Sequence, residues 1–205
     1  MAQELLVRKQ KERKVQDAFN RCKFILPISN YTLSIIKSRW FVEDSKTKII
    51  NPTFSIKNKN LSKRKTSNGS LFIFSLCRIE KRKGLSQVAH SLIRLKELLP
   101  DFRWYIAGDG GAKKELLEII KTSSIESNVF YEGLISEEKK ELYFRKSDLF
   151  IMPSYQEGGS LEGYGITYSE AASYSVPSIS GVDGGVKDAV INNYTGWCIN
   201  PNNEN

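Results

Sequence analysis

The sequence predicts an α/β protein, a parallel sheet with helices on both faces, and three observations lead there. From residue 71 onward, short apolar runs alternate with stretches whose apolar residues recur at helical spacing, the order that builds a parallel sheet. The first run, Leu71–Leu76, is apolar at nearly every position, as a strand covered on both faces must be. Glycine, Pro-Ser or a capping serine then punctuates the passage from each strand to the next helix.

Taken in order, residues 2–23 read as a polar, basic helix, residues 24–28 as a short strand, and Ser29 or Asn30 as the cap of a helix from Tyr31 to about Trp40. Lys48–Ile50 reads as another strand, stopped by Asn51-Pro52. Residues 55–70 are polar and end in Asn68-Gly69-Ser70, which marks a linker between a first segment, 1–54, and a main domain, 71–205. In that domain Leu85, Val88, Ala89, Leu92, Ile93, Leu95 and Leu99 form a helical stripe over 84–99, closed by Pro100-Asp101. Arg103–Ala107 is the next strand, closed by Gly108-Asp109-Gly110-Gly111, and Leu116, Leu117, Ile119 and Ile120 mark the helix after it. Val129–Tyr131 is a strand ended by Gly133, and Ser136 caps a helix with Glu137 and Glu138 at its positive end. Leu149–Met152 is a strand ended by Pro153-Ser154. A glycine-rich loop, 157–165, leads into a helix at Ile166–Ser173, then strands at Val176–Ser180 and Trp197–Ile199 flank a short helix.

Composition excludes several classes. The chain has 205 residues, with 40% apolar and 26% charged, which fits a globular protein of one domain and a fraction rather than a disordered chain. No run of roughly 18 apolar residues spans a bilayer, and the N-terminus lacks a secretory pattern. Cys22, Cys77 and Cys198 have no metal-ligand spacing and suit small buried hydrophobes in a reducing, cytoplasmic compartment. His90 is the only histidine, which argues against a histidine triad or multi-histidine metal site; it reads as a surface residue. Trp40, Trp104 and Trp197 read as packing residues. The net charge of +8 gathers in three places: residues 8–23, residues 57–65 and Lys81-Arg82-Lys83. Such clusters are solvated surface or phosphate-attracting patches. Without interleaved aromatics or an RNA- or DNA-binding motif, no nucleic-acid partner is expected.

In a parallel sheet ligands bind beyond the carboxyl ends of the strands, so the strand-to-helix loops hold the candidate chemistry. In the loop 77–84, Arg78 and Lys83 bracket a turn and could clamp a diphosphate, the plain alternative being a solvated basic loop. Before the helix at Ile166, four glycines bring backbone N–H groups toward a helix N-terminus, a setting for phosphate oxygens. Glu162 in that loop and Glu170 in the helix suit recognition of two separate sugars through their hydroxyls, unless both are ordinary surface charges. Gly108-Asp109-Gly110 falls short of a G-x-G-x-x-G fingerprint because Lys113 occupies a key position, which disfavours a dinucleotide-dependent dehydrogenase.

The order of these motifs resembles the donor-binding half of a retaining glycosyltransferase of the GT-B fold, in the large family 4, glycosyl transferases group 1. The resemblance rests on Arg78-x4-Lys83-Gly84, Gly108-Asp109-Gly110, Pro153-Ser154, Glu162-Gly-Tyr-Gly-Ile-Thr-Tyr-Ser-Glu170, Val176-Pro177 and Asp183-Gly184-Gly185, and covers about residues 20–205. The chain departs from the family at Cys77 and Gly111, where glycine and proline are usual. The resemblance implies a Rossmann-like domain, one half of a GT-B fold, preceded over 1–54 by the tail of an acceptor-side domain. It implies that Arg78 and Lys83 hold the diphosphate of a UDP- or GDP-sugar. Glu162, with Gly163, Tyr164, Gly165 and Ile166, would hold the transferred sugar, and Glu170 the ribose. Gly133, Leu134 and Ile135 would lie near the base. It further implies metal-independent hexose transfer to a polysaccharide or lipid-linked acceptor, with no cofactor. Apart from the resemblance, the basic helix over 2–23 points to contact with an anionic membrane surface. A complete enzyme of this fold needs roughly twice this length, so the other expectation is a nucleotide-sugar-binding module completed by a separate acceptor-domain chain.

Overall fold

The computed structural model describes residues 12–54 and 69–203. Residues 2–11 of the basic N-terminal stretch and residues 55–68 of the linker lie outside the described residues. The strands are β1 (Leu71–Leu76), β2 (Phe102–Ala107), β3 (Val129–Gly133), β4 (Leu149–Met152), β5 (Ser178–Ser180) and β6 (Gly196–Cys198). They form one parallel sheet in the order β3-β2-β1-β4-β5-β6. The helices are α1 (Glu12–Arg21), α2 (Asn30–Arg39), α3 (Leu85–Arg94), α4 (Lys113–Lys121), α5 (Glu137–Lys146), α6 (Ile166–Ser173) and α7 (Val186–Ala189). This is the Rossmann-like α/β arrangement expected from the sequence.

Strand side chains alternate between two faces, and each face has its own apolar core. On one, Ile73, Trp104 and Ile106 meet Leu85, Val88 and Leu92 of α3 and Leu116 and Ile120 of α4. On the other, Phe74, Phe150 and Met152 meet Phe144 of α5, Tyr168 and Ala171 of α6 and Val186 of α7. The apolar runs of β1 and β4 are therefore covered on both faces, as their composition demands.

The strand order reverses between β1 and β4. Their ladder pairs only Ile73 with Leu149 and Phe74 with Phe150. Beyond that, β1 continues to Leu76 beside β2, and β4 continues to Met152 beside β5. One side-chain bond spans the opening fork: the Ser75 hydroxyl donates to the Ile151 carbonyl at 2.5 Å, and accepts from Trp104 Nε1 at 2.9 Å. A crevice opens at this switch point, the usual ligand position in such sheets.

Several local expectations need correction. The strands read at 24–28 and 48–50 reduce to a single parallel bridge, Ile25 to Thr47. Ile25 N–H bonds to Lys46 O, and Lys48 N–H to Ile25 O, but the next ladder donor is Pro27, which has no N–H. The helix read over 84–99 stops at Arg94, and the chain leaves through tighter bonds, Lys96 N–H to Ile93 O and Leu98 N–H to Leu95 O, ahead of Pro100. The strand read from Val176 starts at Ser178, because Val176 N–H closes α6 on Ala171 O and Pro177 has no donor. Trp197 is half-exposed on the edge strand β6 rather than packed, and Cys22 is exposed rather than buried.

The first segment docks on the domain. Ser29 caps α2 by accepting from Thr32 N–H at 3.0 Å. The Asn30 backbone and side chain both donate to Asp188 of α7, at 2.6 and 3.1 Å. Phe19 of α1 packs edge-on against Trp40, with ring centroids 5.6 Å apart.

Candidate functional site

The loop after β1 and the loop before α6 face each other across the switch point. After β1 the chain makes a 3-10 turn, Lys81–Lys83, ended by Gly84 at φ +73°. A left-handed backbone there suits glycine, and a Cβ would also collide with the Pro153 carbonyl of the opposing loop. The Arg82 carbonyl accepts from Tyr155 N–H at 2.8 Å, so the two loops are tied. The turn directs Arg82 and Lys83 inward: their side chains are 12% and 10% exposed. Arg78, by contrast, is 75% exposed and pairs with Glu80 at 3.3 Å.

Lys83 Nζ donates to Glu162 Oε2, from a carboxylate only 17% exposed. Arg82 Nη1 lies 3.7 Å from the same oxygen, while its Nε donates to Glu80 at 2.8 Å. Gly165, at φ +90°, starts α6 with no side-chain cap, so the first N–H groups of that helix are left to whatever enters. A Cβ on Gly165 would strike the ring of Tyr168. Burial pushes the Tyr168 phenol well above its ordinary value, so it stays neutral and donates to the Met152 carbonyl beneath the loop. Burial likewise pushes the Cys77 thiol up to about 12, against the pull of Lys83.

Between these loops is a cavity of about 470 Å³. Of the residues expected from the sequence, Arg78, Lys83, Glu162, Gly163, Tyr164, Gly165 and Ile166 all line it. Ile28 and Pro52 of the first segment line it too. Glu170, Gly133, Leu134 and Ile135 are not among the lining residues. Glu170, 13% exposed, is held by Lys140 of α5 at 2.7 Å, and Lys140 also pairs with Glu137 at 2.7 Å. Burial works against the charge on Lys140, but the two carboxylates more than offset it and raise its pKa. Gly133 O accepts from Gly108 N–H at 2.7 Å, Leu134 is exposed, and Ile135 packs on the second core. Thus Glu170, on α6, is tied to α5 by Lys140 and lies outside the cavity lining.

Two residues escaped sequence reading. Arg82 belongs to a visible charge cluster, but only the 3-10 turn decides that it points in. Lys140 reads as one more surface lysine, and its bond to Glu170 spans 30 positions. Among the described residues, no group of three or more His, Cys, Asp or Glu could hold a metal ion, and no helix is long and apolar enough to cross a membrane.

Comparison with known proteins accords with this arrangement. A glycosyltransferase from Rickettsia africae superposes with a TM-score of 0.79 at 18% identity, over 96% of this chain and 54% of that one. HepE of Anabaena, in complex with UDP and glucose, superposes with a TM-score of 0.72 at 18% identity, over 95% and 54%. In sequence, the amylovoran biosynthesis glycosyltransferase AmsK of Erwinia amylovora is 27% identical over 139 residues, 67% of this chain. The GDP-mannose-dependent alpha-(1-6)-phosphatidylinositol monomannoside mannosyltransferase of Mycolicibacterium smegmatis is 29% identical over 129 residues, 62% of this chain. The chain spans 34% of the length of each of these two relatives. The family model for glycosyl transferases group 1 matches residues 57–205, the whole of the sheet and both loops of the cavity. With the parallel sheet, the fork at β1 and β4 and the two facing loops all inside that match, the chain belongs to the glycosyl transferases group 1 family.

Proposed function

We propose that this chain is the nucleotide-sugar-binding half of a retaining glycosyltransferase that moves a hexose from a UDP- or GDP-sugar to a polysaccharide or lipid-linked acceptor. The observation that carries the proposal is the switch-point cavity, where Lys83, Glu162 and the uncapped N-terminus of α6 converge. In this reading Lys83 and the first N–H groups of α6 receive the diphosphate. Arg78 is the outer cation of the same loop. Glu162 accepts bonds from hydroxyls of the transferred sugar, beside the backbone of Gly163, Tyr164 and Gly165. As the glycosidic bond to the donor breaks, charge grows on the leaving diphosphate, and the fixed cation and helix N-terminus stabilise it without reorganising. A metal ion is not part of this proposal. Glu170, held by Lys140 at the edge of the site, receives the ribose, with Gly133, Leu134 and Ile135 toward the base. Relatives in amylovoran synthesis and in mannosylation of a phosphatidylinositol lipid support the acceptor classes named.

The test is calorimetric titration with UDP, GDP and ADP. One of these is expected to bind, equally with magnesium or with EDTA, and Lys83→Ala is expected to weaken it by roughly thirtyfold, the loss of a charge-assisted contact. Failure of both UDP and GDP to bind would remove the proposal, whether or not ADP binds. Binding without transfer to any acceptor would point to a module completed by a separate acceptor-domain chain.

The proposal extends to contact with an anionic membrane surface through α1, which exposes Arg13, Lys14 and Arg21. Sedimentation with vesicles is expected to show more binding to anionic than to neutral lipid, lost when the three are changed to glutamine. Equal binding to both vesicles would remove this extension.

A further inference from the structure

We infer that Arg82 is a positioning residue that takes over Glu162 when the diphosphate of a donor draws Lys83 away. The inference rests on the donor-site reading above and adds to it how the site stays balanced during loading.

Lys83 is committed to Glu162 in the structure. A diphosphate needs that same ammonium. If Lys83 simply swung to the phosphate, Glu162 would remain as a carboxylate largely removed from water with no hydrogen-bonded counter-charge, an unfavourable state. Arg82 stands ready to prevent it. Its Nη1 is buried and has no hydrogen-bond partner, which is uncommon for a buried donor and asks for a reason. That nitrogen is 3.7 Å from Glu162 Oε2, so a shift of under about 1 Å would close a hydrogen bond of ordinary length. The rest of Arg82 is already anchored. Nε donates to Glu80, and the backbone carbonyl accepts from Tyr155 N–H. A planar guanidinium can keep one edge on Glu80 while the other serves Glu162, which a lysine's point charge cannot do as well. Arg78 is not placed for this part, because it is exposed and its Nη1 is turned to Glu80.

The handover leaves Lys83 on the phosphate and Glu162 compensated and aimed at the sugar hydroxyls. It makes Arg82 matter only through Glu162, which a double-mutant cycle reads directly. UDP and GDP are titrated into the unaltered chain, R82Q, R82K, E162Q and the R82Q/E162Q double variant. Whichever diphosphate binds the unaltered chain is expected to bind R82Q about tenfold more weakly and R82K within about threefold of the unaltered chain. In the E162Q background, adding R82Q is expected to change affinity by less than about twofold. An equal loss in both backgrounds would show that Arg82 only shapes the loop, and would overturn the inference, as would no loss in the first. Absence of UDP and GDP binding by the unaltered chain would instead overturn the donor-site reading, and this inference with it.

Discussion

Glu162→Gln is expected to separate the two halves of donor binding: affinity for the bare nucleoside diphosphate rises, while the extra affinity contributed by the sugar disappears and transfer falls steeply. Lys83 is held by Glu162, so a phosphate must compete with a buried carboxylate for it. A neutral amide of the same shape still accepts a hydrogen bond but holds the ammonium far less strongly. Freed in this way, Lys83 should raise affinity for the diphosphate about threefold to tenfold. The sugar loses in the same exchange. Hydrogen bonds to a charged acceptor are worth about 1.5–3 kcal/mol each. Weakening two of them in the transition state by a total of about 3–4 kcal/mol lowers transfer by roughly 10²–10³-fold. Paired titrations of the bare diphosphate and its sugar nucleotide check the binding half, and diphosphate release from the sugar nucleotide checks the rate. If both ligands weaken together, Glu162 is a structural anchor for the loop and its assignment to the sugar is wrong.

How much of this was legible in the sequence depends on how local each signal is. The boundaries of β1, β4 and α6 match their apolar runs and glycine stops to the residue, because each element is decided by its own neighbours. The reading failed where one residue's missing donor decided the outcome. Pro27 turns an expected strand pair into one bridge, and Pro177 delays β5. The candidate loops were legible for a similar reason: strand order alone says which ends carry ligands.

Side-chain pairing inside those loops was not legible. Lys83 and Glu162 are 79 positions apart, and no local pattern says that they meet. That Arg82, and not Arg78, points inward follows from the 3-10 turn, which three consecutive basic residues do not announce. The resemblance matched Arg78 to a family position, while the fold turns the neighbour of Lys83 inward as well. Ser75 shows the same limit. Inside an apolar run it reads as a minor interruption, yet it bridges the fork between β1 and β4.

The fork also sets the largest expected effect on stability, at Trp104. This residue is fully buried, and among the described residues it is the largest side chain that is. It sits in register with Ile73 and donates from Nε1 to the Ser75 hydroxyl, which in turn donates to Ile151 across the opening strands. Trp104→Ala is expected to remove about 3–5 kcal/mol through lost burial and the cavity left behind. A domain of this size has a total stability of about 5–15 kcal/mol, so the loss is about a fifth of it or more. At about 2–4 °C per kcal/mol, the unfolding midpoint should fall by roughly 6–20 °C. Trp104→Phe is the informative partner. It keeps most of the volume but loses the donor to Ser75, whose own bond to Ile151 survives, so the expected cost is about 1–2 kcal/mol. Because the Ser75 bridge stays, Trp104→Phe should leave nucleoside diphosphate affinity within about threefold. Thermal unfolding followed by circular dichroism, together with the same titration, tests both parts. A Phe variant that stays stable but loses binding would mean that Trp104 sets the spacing of the fork, and with it the approach of Lys83 to Glu162.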